Sequence, residues 1–235
     1  MSTKDEKKAD AGAHAISPYA VIIELEGSLT GGRRMLFDTL KKLLKKEKLN
    51  LNEATFIRQA LGPAPLDAIP ELISALDGEG VSTDKMQAAL LEALTSGEAE
   101  LSPAPMLRKL LDAAKKRNLP VVAISCLPPE AAEAVLKKSI LVDLGVTLHD
   151  ACGTAGSCPS KKEWQAVCHG LSRMPHRCFA LVSTGAACHA ALSVDLRVIA
   201  IADEFTTAQD FGGAEAVAES VAEFDLDDLF ARMTN

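Results

Sequence analysis

Two glutamates one residue apart follow a short apolar run near the start of the chain. The run AVIIEL ends at Glu24-Leu25-Glu26, and Gly27 and Ser28 come next. A carboxylate at a strand end can attack phosphorus, or it can carry a proton as a general acid or base. This stretch therefore has the layout of a phosphate-handling active site, with Glu24 and Glu26 as its candidate catalytic residues.

Further candidates follow later strand patterns. Ser125 ends the run VVAIS, where it could hold a phosphate or sulfate oxygen or cap the next turn. Cys126, Cys152 and Cys158, with His149, could converge at the carboxyl edge of a sheet as a thiol or soft-metal site. All six cysteines are predicted to be reduced. Three of them are predicted to pack in the core: Cys168, Cys178 and Cys188.

The elements that must position these residues alternate between strands and helices. Short apolar runs rich in β-branched residues predict strands, and amphipathic runs between them predict helices. The predicted strands lie at residues 20–25, 121–125, 178–183, 197–202 and 216–218. Such alternation implies a parallel sheet covered by helices on both faces.

One region breaks the alternation. Residues 32–101 carry helical patterns and no convincing strand, so they are predicted to form a helical cap inserted after the first strand. An α/β core is predicted from residues 18–31 and 102–235. Residues 1–17 are charged and alanine-rich, which predicts a disordered tail. A hinge between core and cap is expected at Gly31-Gly32.

Composition excludes several classes of partner. The 235 residues carry a formal net charge of −7, with one Trp and one Tyr, which argues against a nucleic-acid binder. No apolar run reaches the length of about 18 residues that a membrane helix needs. No secretory signal is visible at the N-terminus, so the predicted location is the cytoplasm. The sequence identifies no protein partner.

The ordered set of motifs resembles the haloacid dehalogenase superfamily, in particular its β-phosphoglucomutase-like phosphatases with an inserted helical cap. The chain has a strand ending in acid-x-acid-Gly-Ser-Leu, then a helical insert and a strand ending in Ser125. Cys158-Pro159 precedes Trp164 on a helix pattern, and Ala190-Ala191 follows the strand that ends at Val182-Ser183. The resemblance implies a haloacid dehalogenase-like, Rossmann-like parallel sheet with a helical cap.

In that family an Asp nucleophile, an Asp acid/base, a Lys and a Mg²⁺ ion transfer a phosphoryl group. The resemblance places Glu24 at the nucleophile, Glu26 at the acid/base, Cys158 at the lysine and Ser183 at a metal-binding acid. It implies that Glu24 and Ser183 are the candidate metal ligands. It also implies a substrate-binding role for Gly27, Ser28, Ser125 and Cys126. The extra methylene of each Glu displaces its carboxylate by about 1 Å, enough to cost on the order of 100-fold in rate.

The resemblance thus leads to a hydrolase-like protein with degenerate catalytic motifs and a binding or regulatory role. No cation is predicted beside the carboxylates, since Lys161 and Lys162 lie a turn away from the motif position. Glu24 and Glu26 are then either an altered nucleophile pair or solvated carboxylates at a strand end. No cofactor is predicted in this case, and a small phosphorylated or anionic molecule is the expected ligand.

Two alternatives stay open. One is an active phosphohydrolase on a small phosphorylated metabolite, with Glu24 as nucleophile and Mg²⁺ as cofactor. The other is a thiol-dependent activity at Cys126 and Cys158.

Overall fold

A computed structural model describes residues 17–30, 32–96, 102–149 and 159–218, together with 225, 227–228 and 230–231. Most of the predicted tail lies outside the described residues. So do two cysteines of the predicted thiol site, Cys152 and Cys158.

Six parallel strands form the central sheet. The described residues contain eight strands, and β2 and β3 form a separate pair. In chain order the strands are β1 (Ala20–Glu24), β2 (Leu29–Thr30), β3 (Ser102–Pro103), β4 (Val121–Ile124), β5 (Thr147–Leu148), β6 (Cys178–Val182), β7 (Arg197–Ile201) and β8 (Ala216–Ala218). The sheet order is β5-β4-β1-β6-β7-β8, with every pairing parallel. This confirms the predicted parallel α/β sheet. The sequence analysis missed β2, β3 and β5, because a strand of two residues carries no readable alternation.

The helices in chain order are α1 (Gly32–Lys46), α2 (Glu53–Ala60), α3 (Ala68–Ala75), α4 (Thr83–Ser96), α5 (Pro105–Lys116), α6 (Pro129–Lys138), α7 (Lys161–Gly170) and α8 (Gly185–Leu192). Local chemistry explains several of their starts. The side chains of Asn52 and Thr184 accept hydrogen bonds from first-turn backbone N–H groups of α2 and α8. Pro105 and Pro129 occupy first-turn positions, where a missing N–H costs nothing.

Helices α1 to α4 lie between β2 and β3, and we call them the helical insertion. The two short strands pair antiparallel, Leu29 with Pro103 and Thr30 with Ser102, so the chain leaves and re-enters the sheet domain at one place. The described residues 32–96 contain helices and no strand. The division into core and cap at residues 32 and 101 stays a prediction.

The apolar core has two parts, one on each face of the sheet. Alternate residues of β1 belong to different parts: Val21 and Ile23 to one, Ala20 and Ile22 to the other, as expected for a strand buried on both faces. The first part continues without a break into the helical insertion. None of the described helices is long and apolar enough to span a membrane.

Candidate active site

Glu24 is the last residue of β1 and lies at the carboxyl edge of the sheet, with β4 on one side and β6 on the other. It is 5% exposed. Its Oε2 accepts two hydrogen bonds of 2.8 Å, from the backbone N–H and the hydroxyl of Ser183. Glu24 is therefore a buried, hydrogen-bonded group, and its interpretation as a solvated carboxylate is wrong.

Arg33, in the first turn of α1, reaches this carboxylate from the helical insertion. Its Nη2 donates to Ser183 Oγ over 2.6 Å and lies 3.9 Å from Glu24 Oε1. Its Nη1 pairs with Asp203, which follows β7. The Arg33 side chain is 9% exposed. One guanidinium thus joins a buried glutamate, a serine and an aspartate at the centre of the site.

No cation was predicted here from the sequence. A signal was nevertheless present. Arg33 precedes Phe37, Leu40 and Leu44 at spacings of 4, 7 and 11, so it extends the buried face of α1. Lys161 and Lys162, by contrast, are exposed at the start of α7.

Glu26 lies two residues past the end of β1 and contacts the residues that follow β4 instead of those that follow β6. Its Oε1 accepts hydrogen bonds from the Ser125 hydroxyl and, over 3.1 Å, from the Cys126 backbone N–H. Ser125 is fully buried and also accepts from the Leu127 N–H at 3.1 Å. Glu26 Oε2 is buried and has no hydrogen-bond partner among the described residues. A solvated role for Glu26 is therefore also wrong.

Gly27 occupies the turn between the two carboxylates and the helical insertion. A Cβ at this position would lie 1.6 Å from Ser183 Oγ and 3.2 Å from Arg33 Nη2. Only glycine allows Ser183 and Arg33 to approach this closely. Ser28 belongs to the same 3₁₀ turn, and its side chain lies outside what the structure describes.

The cysteines divide differently from the prediction. Cys126 is disulfide-bonded. The prediction that all six cysteines are reduced is therefore wrong at Cys126, because disulfide formation depends on how close two sulfurs come in space and not on their sequence spacing. Three cysteines are free and buried, as predicted: Cys168, Cys178 and Cys188.

Burial shifts both carboxylates toward their neutral forms. The pKa of Glu24 is raised by loss of hydration, against the opposing effects of Arg33 and of the hydrogen bonds from Ser183. Burial raises the pKa of Glu26 to about 6, against the opposing hydrogen bond from Ser125. The negative charge of Glu24 adds to the rise at Glu26.

A cavity of about 70 Å³ opens between the carboxylates and the helical insertion. Glu24, Glu26, Arg33 and Thr184 line its polar end. The remaining wall is apolar, and its residues include Met35, Leu36, Leu61, Leu94, Leu127 and Val135. The predicted site residues Glu24, Glu26 and Cys126 thus share one cavity with residues of the insertion.

These residues do not fit Mg²⁺. Magnesium needs about six oxygen ligands in a tight octahedron, and the predicted ligands Glu24 and Ser183 both contact the Arg33 guanidinium. The described residues contain no group of three or more His, Cys, Asp or Glu suited to a metal ion. Ser183 therefore serves as a hydrogen-bond donor to Glu24 here, and not as a metal ligand.

The sheet order, the insertion after β1 and the carboxylates at the strand end together define the fold of the haloacid dehalogenase-like proteins. Solved structures bear this out. CbbY from Rhodobacter sphaeroides in complex with phosphate is 18% identical, with a TM-score of 0.74 over 87% of this chain and 95% of its own. No family model and no curated protein matches the chain.

Two further structures agree. A HAD hydrolase of family IA, variant 3, from Entamoeba histolytica is 17% identical, with a TM-score of 0.72 over 92% of this chain and 100% of its own. The β-phosphoglucomutase from Clostridium difficile is 15% identical, with a TM-score of 0.68 over 92% and 96%. At these identities the likeness establishes the fold, which confirms the predicted haloacid dehalogenase-like architecture.

Proposed function

We propose that this protein is a binding or regulatory protein, located in the cytoplasm, that keeps the frame of a phosphatase without efficient phosphoryl transfer. The observation that carries the proposal is the Arg33 guanidinium, held by Ser183 and Asp203 at 3.9 Å from Glu24. In this fold the equivalent place beside the first carboxylate is where the resemblance expects Mg²⁺.

The chemistry of phosphoryl transfer supports this assignment. The reaction depends on positioning and on cancelling negative charge at the phosphoryl oxygens. Arg33 already neutralises Asp203 and interacts with Glu24, so little of its charge is left for a substrate. Ser183 donates both of its hydrogen bonds to Glu24 Oε2, which engages a lone pair that a nucleophile would need.

One observation favours the active phosphohydrolase as the second candidate. Arg33 supplies a cation within 4 Å of Glu24, and it could stand in for the missing lysine if Asp203 released it. The thiol-dependent alternative has no comparable support, since the sulfur of Cys126 is bonded.

A phosphatase assay separates the two candidates. Wild-type protein with Mg²⁺ should hydrolyse p-nitrophenyl phosphate no faster than its Glu24→Gln variant. The Tm of the wild type should not change on addition of millimolar Mg²⁺. Turnover well above buffer that disappears in a correctly folded Glu24→Gln variant would establish the hydrolase instead.

A rescue experiment tests the role of Arg33 directly. The double variant Arg33→Met, Ser183→Asp removes the guanidinium and adds a carboxylate, so we expect Mg²⁺ to raise its Tm. Ser183→Asp alone should show no such rise, because the new carboxylate would pair with Arg33. Equal Mg²⁺ responses in the two variants would contradict the idea that Arg33 blocks the metal site.

A further inference from the structure

We propose that the cavity between the sheet and the helical insertion binds a small apolar molecule that carries an ammonium group, with the ammonium paired to Glu26. This inference rests on the proposed function, since a site without Mg²⁺ has no strong means of holding a phosphate. It differs in charge from the anionic ligand that the resemblance implies.

The walls of the cavity favour an apolar body. Aliphatic side chains from the helical insertion and from the α6 side of the sheet form most of the lining, including Leu36, Leu61, Leu94 and Val135. A single water needs about 10–15 Å³ of such space, so about 70 Å³ accommodates a small organic molecule. A sugar would leave several hydroxyl groups without partners against this wall, each at a cost of about 1–3 kcal/mol.

The polar end of the cavity favours a cation. Among the described lining residues Arg33 is the one positively charged group, and it is shared between Ser183, Asp203 and Glu24. Glu26 has no cation beside it among the described residues, and the hydrogen bonds from Ser125 and Cys126 both go to Oε1. Within the part of the chain that the structure describes, a phosphate entering this end would meet two carboxylates and a guanidinium that is already paired.

Glu26 Oε2 is the atom that lacks a partner. It is buried without a hydrogen bond among the described residues, a condition that is costly for a carboxylate oxygen. Because Glu26 is one of the lining residues of the cavity, a small rotation of the carboxylate would present this oxygen to a donor. An ammonium group supplies three donors and the missing positive charge.

Charge coupling supports the same pairing. Burial raises the pKa of Glu26 to about 6, and Glu24 adds to the rise. A bound cation would favour the ionised form of Glu26, so binding should strengthen as the pH rises through about 6. Arg33 and Asp203 are the other charged groups near this end of the cavity, and Asp203 neutralises Arg33.

Matched probes of one shape test the proposal. Binding of cyclopentylammonium, cyclopentanol, cyclopentanecarboxylate and inorganic phosphate would be measured by calorimetry at pH 7.5 and pH 5. We expect cyclopentylammonium to bind at least 10-fold more tightly than the alcohol at pH 7.5, and the two anions to bind more weakly than both.

Variants assign the binding to the site. Glu26→Gln should weaken the ammonium probe by about 10- to 100-fold and leave the alcohol unchanged. Glu71→Gln, at an exposed carboxylate of α3, is the matched control and should change neither. Ala60→Leu fills the cavity from α2 and should weaken both probes, with the circular dichroism spectrum confirming its fold.

The proposal is overturned if no probe binds at millimolar concentration, if either anion binds as tightly as the ammonium, or if Glu26→Gln leaves ammonium binding intact. None of these results would be evidence for phosphatase activity. That question is decided separately by the dependence of phosphate-ester turnover on Glu24.

Discussion

Individual side chains show how much a buried carboxylate depends on its partners. Glu24 and Glu26 are two residues apart, yet one bonds to Ser183 after β6 and the other to Ser125 after β4. Glu24 also has Arg33 nearby, whereas one oxygen of Glu26 has no partner among the described residues. The two groups therefore differ in charge compensation despite their similar burial.

This difference predicts how stability changes with pH. Because the pKa of Glu26 is raised from 4.5 to about 6, the folded protein binds more protons than the unfolded chain in this range. The contribution of Glu26 to the free energy of unfolding therefore falls as the pH rises from about 4.5 to about 6. The glutamine side chain in Glu26→Gln does not titrate. Between pH 4 and pH 7 the unfolding free energy of this variant should therefore rise by about 2 kcal/mol relative to that of the wild type.

Urea unfolding of both proteins at several pH values measures this gain. The difference between the two proteins matters here, since carboxylates that do not interact with Glu26 cancel from it; the effect of Glu24, which does interact with Glu26, is part of the measured difference. A difference that stays constant from pH 4 to pH 7 would show that Glu26 has an ordinary pKa in the folded protein.

Among the secondary-structure elements, α1 has the largest effect on the site. It carries Arg33 and Arg34 side by side, but successive helix residues point about 100° apart. Arg33 therefore enters the site, while Arg34 is 34% exposed and pairs with Glu53 and Glu204. The Cζ atom of Arg34 also lies over the ring of Phe205, 4.5 Å from the ring centroid. Both arginines thus form ion pairs between the start of the insertion and the loop after β7.

Substitution of each arginine by methionine should give unequal losses. Arg33→Met leaves Glu24 buried without its cation, and we expect the unfolding free energy to fall by about 3 kcal/mol at pH 7.5. The loss should be smaller at pH 4.5, because the raised pKa of Glu24 favours its neutral form as the pH falls. Arg34→Met removes exposed ion pairs and the contacts with the rings of Phe37 and Phe205, so we expect a smaller loss than for Arg33→Met.

Chemical denaturation of the two variants at both pH values tests this comparison. Equal losses for Arg33→Met and Arg34→Met, or an Arg33→Met loss that does not depend on pH, would show that the contact of Arg33 with Glu24 contributes little to stability.

In the molecule as a whole, the sheet and the helical insertion share one apolar core. Phe56 of α2 is fully buried. The centroid of its ring lies 5.3 Å from that of Phe37 in α1 and 5.2 Å from that of Phe205 in the loop after β7. Residues of the insertion and of β1, β6 and β7 belong to the same apolar cluster. Such continuity implies that the two parts unfold together.

Cooperative unfolding can be followed from the far side of the sheet, because Trp164 of α7 is the one tryptophan and is fully buried there. Phe56→Ala should lower the unfolding free energy by about 3–5 kcal/mol and shift the fluorescence and circular dichroism midpoints together. Ile57→Ala, at a residue that is 38% exposed, should cost less than about 1 kcal/mol. Loss of helical signal before any change at Trp164 would mean that the insertion unfolds alone.

Local patterns were enough to predict the architecture. β-branched runs, amphipathic helices and their order along the chain predicted the parallel sheet with a helical insertion, because burial on both faces imposes a period that can be read in the sequence. The same logic placed Glu24 and Ser125 at one sheet edge, since parallel strands end there together. Placing these two residues at the sheet edge required no knowledge of contacts between distant segments.

The chemistry of the site depended on contacts that no local pattern contains. Arg33 meets Asp203 across 170 residues of chain, a proximity that only the tertiary structure creates. The burial of Glu26 and the bond at Cys126 likewise depend on how separate segments pack. Periodicity can be read from neighbouring residues, whereas charge compensation in a buried site is a property of three-dimensional proximity. The fold and the buried face of α1 were therefore predictable from the sequence, and the pairing of Arg33 with Asp203 and Glu24 was not.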